Sequence, residues 1–178
     1  MKNHKTKDLV SVSLYAALIF IAIQFLKIPL AHQFIHIGNA LVVIGILIFG
    51  FKKGFLSALL GLGIFDILNG YAASVWMTLL EAFLVCLVIN FYFVKILKGK
   101  DNSKLILSVA LLAALLKIIL NLVKYTLINH FIANISFSSA ISLAVIKILG
   151  TFGSALVTLI AVPILYPIFK SFTKNVIK

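Results

Sequence analysis

The stretch DILNGYAASVWMTLLE, Asp66 to Glu81, joins two apolar runs through a turn and sets a carboxylate on each side of it. These two are half of the chain's four acidic residues. Asn-Gly is turn chemistry, because both residues tolerate backbone conformations that others avoid. The run that follows, VWMTLLEAFLVCLV, is apolar enough to enter a bilayer, yet Glu81 stands seven residues into it. An ionised carboxylate is costly there unless it is paired or faces a polar cavity. Two spans joined by a short turn, one holding a buried charge, read as part of a multi-pass membrane protein with an internal site.

The rest of the chain agrees. Of its 178 residues, 63% are hydrophobic and 11% charged, with a mean hydropathy of +1.21. Soluble domains are nearer about half apolar and a quarter charged. The length admits about six spans of roughly 20 residues with short loops, so residues 1–178 read as a single all-α membrane domain of six transmembrane helices. The six apolar segments are Leu9 to Leu26, Ile35 to Gly50, Phe55 to Leu68, Val75 to Val94, Leu105 to Ile128 and Ala140 to Phe169, the last with Pro163 and Pro167 near its end. The second and third are short for full spans, which points to irregular backbone where a cavity is lined. The polar start MKNHKTKD and the lack of a small-residue cleavage site make the first segment a retained span.

Topology follows from the lysines. All sixteen basic residues are lysine, and the formal charge is +12. With the N-terminus in the cytoplasm, the inner side collects Lys2, Lys5, Lys7, Lys52, Lys53, Lys95, Lys98, Lys100, Lys104, Lys170, Lys174 and Lys178, and the outer side only Lys27. This asymmetry predicts N-in, C-in insertion in a bacterial plasma membrane. It also accounts for the basic charge by apposition to anionic lipid, so no nucleic-acid partner is implied. No arginine is present for bidentate phosphate recognition.

The remaining ionisable groups sit within the spans, toward the outer half. Glu81 lies about 9 Å and Lys147 about 10 Å below the outer surface at roughly 1.5 Å per residue. Lys117, Asn121, Lys124 and Tyr125 share one helix face at i, i+4, i+7 and i+8. Asp66, His32, His36, Asn39 and His130 are also outer. Intramembrane charges mark substrate or ion paths; against that stand snorkelling of Lys124, a turn-capping role for Asp66, and a structural ion pair of Glu81 with Lys147 or Lys117. Trp76 and Tyr71 fit an outer aromatic belt as well as a ligand platform. Cys86 is alone, the pair His32 and His36 has no third ligand beside it, and no GxSxG or Walker loop is present. The expectation is no metal, no cofactor and no enzyme. The expected pocket is entered from outside, with two acids against three lysines.

The run FIHIGNALVVIGILIFGFKKGFLSALLGLGIFDILNGYAASVWMTLLEAFLVCLV resembles the substrate-binding S components of energy-coupling factor (ECF) vitamin transporters. Within the riboflavin-transporter-type superfamily it is most similar to the pyridoxine and hydroxymethylpyrimidine binders. The matching pieces are H-x-G-N-A at His36 to Ala40, G-x-K-x-G at Gly50 to Gly54, D-x-x-x-G-Y at Asp66 to Tyr71 and L-E-[small] at Leu80 to Ala82, with GTFGSALVTLIAVPIL as the last helix. The resemblance implies six helices, a vitamin bound near the outer surface, and delivery by docking on a membrane coupling subunit that carries two ATPases. It implies substrate binding by Asn39, Asp66, Tyr71, Thr78, Glu81, Lys117, Asn121 and Lys147. It also implies docking through small residues of the first helix, here Ser13, Ala16 and Ala17; small-xxx-small spacing lets backbones approach. Thr78 stands where the family often has lysine, and Lys147 where it often has asparagine, which suggests a different ligand from the commonest ones. An amine or hydroxymethyl group of a pyridine or pyrimidine then meets Glu81, and a carboxylate or carbonyl meets Lys147.

Two other readings compete: a small ion- or proton-coupled carrier or channel with Glu81 and the lysines as relay, and a structural subunit of a larger membrane complex. A relay spreads ionisable groups through both leaflets, whereas here they cluster in the outer one. The loop from Lys27 to Gln33 is short, lies on the ligand side, and is expected to close as a lid.

Overall fold

A computed structural model describes residues 2–30 and 33–176. His32, and with it the proposed histidine pair, lies outside the described residues. Six α-helices account for most of the chain: α1 (Lys2–Leu26), α2 (Gly38–Leu68), α3 (Val75–Phe91), α4 (Ser103–Leu127), α5 (Phe137–Lys147) and α6 (Leu149–Val176). Five helical segments are long and apolar enough to cross a membrane.

The sixth crossing comes from α2, which is not one rod. At Gly50 the backbone takes φ 75° and ψ 177°, a conformation essentially reserved for glycine. The chain reverses there. A β-carbon on Gly54 would lie 2.8 Å from the backbone of Gly45 and Ile46, whereas nine residues of straight helix span about 13.5 Å. The arms 38–49 and 51–68 therefore run back along each other, as the two short apolar segments of the sequence imply. The first arm is the middle of the core: Gly38 and residues 40–47 are all buried. Around it pack Ile19 and Ile23 of α1, Ile89 of α3, Val109 of α4 and Val162 of α6, each at most 1% exposed. Tyr15 of α1 donates its hydroxyl to the Leu41 carbonyl at 2.6 Å.

The apolar segment from Ala140 to Phe169 is two helices, not one. Ile148 leaves helical geometry (φ −94°, ψ 17°), ending the short α5, and α6 then runs through Pro163 and Pro167. Between α1 and α2 the strands β1 (Ile28–Leu30) and β2 (Gln33–Ile35) form an antiparallel hairpin with Ile28 opposite Ile35. Gln33 Oε1 accepts from the Thr151 amide at 2.8 Å and from its hydroxyl at 3.0 Å. The hairpin is thereby tied to the start of α6.

One end of the bundle gathers the lysine-rich segments. Lys53, beside the α2 reversal, pairs with Asp8 of α1 at 2.6 Å. Lys170 of α6 pairs with Asp101, which also accepts from the Tyr166 hydroxyl at 2.7 Å. The hairpin, the Asn69–Gly70 turn and α5 lie at the other end.

Candidate functional site

Toward the hairpin end, α1, β2, both arms of α2, α3, α4 and α6 enclose a cavity of about 250 Å³. Its wall contains Asn39, Asp66, Tyr71, Thr78, Glu81, Lys117 and Asn121. Seven of the eight pocket residues expected from the sequence thus meet in one space. Helical periodicity explains the α3 and α4 contributions: Thr78 and Glu81 are three apart, and Lys117, Asn121 and Lys124 lie on one stripe.

Glu81 is the charged centre. It is 7% exposed and its carboxylate accepts from three donors. Oε2 accepts from Lys117 Nζ at 2.5 Å and from Asn121 Nδ2 at 3.0 Å. Oε1 accepts from Lys124 Nζ at 2.5 Å. Asn121 is itself held by donating to the Lys117 carbonyl at 3.1 Å. The trio of one acid and two ammonium groups carries a net charge of +1.

Asp66 is also buried, at 8% exposure, but its situation is the reverse. Its Oδ2 is the one buried side-chain polar atom without a hydrogen-bond partner among the described residues. The carboxyl does not cap the NGYAA turn. That turn is closed by the Tyr71 amide on the Asp66 backbone carbonyl at 2.8 Å, and Asn69 Nδ2 donates to the Phe65 carbonyl at 2.9 Å.

Lys147 departs from expectation. It does not line the cavity and makes no ion pair with Glu81. Its ammonium stands 4.8 Å from the centre of the Tyr125 ring, whose other contact is Lys124 at 4.6 Å. The break at Ile148 puts it at the end of α5 rather than partway down a long span. Lys124, left out of the expected pocket residues, lines the cavity and pairs with Glu81 rather than snorkelling outward.

The sequence reading left out several lining residues. His36 belongs to the cavity rather than to an interface. Its Nδ1 accepts from the Gly38 amide at 3.2 Å, which leaves the ring proton on Nε2. Gln33, Thr151 and Ser154 also line the wall, and Ser154 Oγ binds the hairpin through the His36 amide at 3.1 Å and the Phe34 carbonyl at 3.2 Å. Nothing in the sequence singled these out, because isolated hydroxyls are ordinary in apolar helices. The Phe34 and Tyr71 rings meet edge to face at 6.1 Å over the same space.

On α1, Ser13 and Ala17 are exposed. Ala16 is not: it is 5% exposed, and a β-carbon on Gly61 would lie 2.8 Å from its carbonyl. Ala16 is used inside the fold. Among the described residues no three His, Cys, Asp or Glu side chains cluster as metal ligands.

Comparison with known proteins gives one match. The family model for the ECF-type riboflavin transporter, S component, matches residues 3–171. No curated protein and no solved structure matches the chain. S components are vitamin-binding parts of a transporter, not enzymes; they are integral to the cell membrane and work with an ECF module. A match over nearly the whole length, on a helical membrane bundle with a buried polar cavity, places this chain in the S-component family of ECF-type riboflavin transporters.

Proposed function

We propose that this chain binds a small water-soluble vitamin or precursor, of the pyridoxine or hydroxymethylpyrimidine kind, and delivers it into the cell as the substrate-binding part of an ATP-driven ECF transporter. The observation that carries the reading is the concentration of costly polar groups on one cavity. Asp66, Glu81, Lys117, Lys124 and Asn121 all face it, and intramembrane charge collected on a cavity is the mark of a substrate site. At about 250 Å³ the space lies at the lower edge of small-molecule pockets, which run from about 300 Å³ upward. That favours a one-ring ligand.

In this reading Asn39, Tyr71, Thr78 and the charged groups hold the ligand. The hairpin, tied to α6 through Gln33 and Ser154, closes over it. Ser13 and Ala17 are the small-residue step that docks on the coupling subunit; two ATPase subunits drive the cycle. A thermal-shift panel on the detergent-purified protein tests this, with pyridoxine, pyridoxal, hydroxymethylpyrimidine, riboflavin and pantothenate. A ligand at about 100 times its Kd adds about 2.7 kcal/mol, so a one-ring vitamin is expected to raise the unfolding midpoint. No response to any of the five from folded protein overturns the reading.

A further inference from the structure

The hydrogen-bonding capacity left over in the cavity has a definite polarity. Glu81 already takes three donors of the about four that a carboxylate accepts, so little of its capacity is left for a ligand. An ammonium has three N–H donors. Lys117 and Lys124 each spend one on Glu81, leaving two on each, on a cluster that is net positive. The spare acceptor is elsewhere in the same cavity. Asp66 Oδ2 is buried without a partner, and among the described residues no ammonium lies within ion-pair distance of it: Glu81, Asp8 and Asp101 are the paired acids. Leaving a buried acceptor unsatisfied costs free energy that a bound donor would recover.

The cavity therefore presents one acidic acceptor and, separately, a cationic pair of donors. Its complement is a small ring that is itself a zwitterion. We infer that the ligand is a hydroxypyridine-type heterocycle whose protonated ring nitrogen donates to Asp66 and whose ionised ring oxygen accepts from Lys117 and Lys124. In such a ring the hydroxyl proton moves to the ring nitrogen, so both charges arise without an added co-reactant. A carboxylate is also the usual partner for a pyridinium N–H in cofactor sites. An aminopyrimidine offers a neutral amino donor to Asp66, but only neutral ring nitrogens to the lysines. This ordering rests on the vitamin-binding reading and adds Asp66 as the residue that sets specificity. It reverses the roles expected from the sequence, in which the acid meeting the ligand was Glu81 and the cation Lys147.

The test is calorimetric titration of the full-length protein with three probes: pyridoxine, its N-methylpyridinium analogue and its 3-O-methyl ether. The first analogue keeps the cation but deletes the N–H; the second keeps the ring oxygen but removes its charge. Each is expected to bind roughly tenfold to a hundredfold more weakly than pyridoxine, the scale of a charge-assisted hydrogen bond. Asp66→Asn is expected to weaken pyridoxine by a similar factor and the N-methyl analogue, which keeps the charge attraction but not the hydrogen bond, by less. Equal binding of pyridoxine and the N-methyl analogue overturns the assignment, and that comparison needs only the unmutated protein should Asp66→Asn fail to fold. Binding of riboflavin or hydroxymethylpyrimidine in preference to pyridoxine also overturns it, while leaving the vitamin reading intact. Silence toward every vitamin takes down both.

Discussion

Glu81 holds two lysines apart, so its removal is worse than the loss of one ion pair. With Glu81→Gln, Lys117 and Lys124 are left facing each other, each about four-fifths buried at the side chain. Breaking a buried ion cluster from one side costs about 3 kcal/mol or more. At about 2–4 °C per kcal/mol for a chain of this size, the thermal midpoint should fall by roughly 6–12 °C. Lys124→Met should cost less, because Glu81 keeps Lys117 and Asn121. The triple change Glu81→Gln, Lys117→Met, Lys124→Met should recover most of the loss, since a charge cluster can be replaced by apolar side chains at little cost. A triple variant no more stable than Glu81→Gln alone would count against this account. Much of the cluster was legible in the sequence: spacing placed Lys117, Asn121 and Lys124 on one stripe and buried Glu81 in a facing span. Of the two partners the sequence offers Glu81, Lys117 pairs with it and Lys147 does not, because the final apolar segment breaks at Ile148.

The reversal in α2 is an element-scale device built on two glycines. Gly50 supplies backbone geometry open to almost no other residue, and Gly54 lets one arm lie against the backbone of the other. A methyl at position 54 would meet peptide atoms of Gly45 and Ile46 at 2.8 Å, and backbone cannot step aside as a side chain does. Gly54→Ala should therefore sharply reduce the yield of folded protein. Gly63→Ala is the control. Its β-carbon would sit 3.7 Å from Leu79 Cδ2, ordinary contact, so Gly63→Ala should be within about 1 kcal/mol of the parent in thermal unfolding, a helical Gly-to-Ala change being mildly favourable when nothing clashes. The two short apolar segments flanking FKKG made the reversal readable from sequence. The β-hairpin was not readable: its strands are three residues each, too short for any alternation to register, and its pairing depends on Gln33 reaching α6.

Across the whole molecule, charge is distributed so simply that acid titration can be followed group by group. Four acids serve the entire chain. Hydrogen bonds from Lys170 and Tyr166 hold the Asp101 carboxyl below the usual carboxylate range. Because its value is lowered on folding, Asp101 stabilises the fold above the ordinary carboxylate value of about 4 and loses that contribution as pH falls through its own lower value. Asp101→Asn should lower the thermal midpoint at neutral pH and flatten its decline below about pH 4; an unchanged acid limb would refute the assignment. The lysine asymmetry that suggested two distinct ends also anticipated this, since Asp101 and Asp8 find their partners among the lysine-rich segments. The depth of the cavity has a different origin. The central arm of α2 runs over residues 38–49, about 18 Å of helix at roughly 1.5 Å per residue. The hydrocarbon layer is about 30 Å thick. A rod planted at the lysine-rich face thus ends roughly 12 Å short of the opposite face, with Asn39 near its tip. Its neighbours continue past it, as staves continue past a recessed barrel head. The binding volume is the missing length of one helix, and inserting about two turns after Gly38, about 11 Å of helix, should fill it.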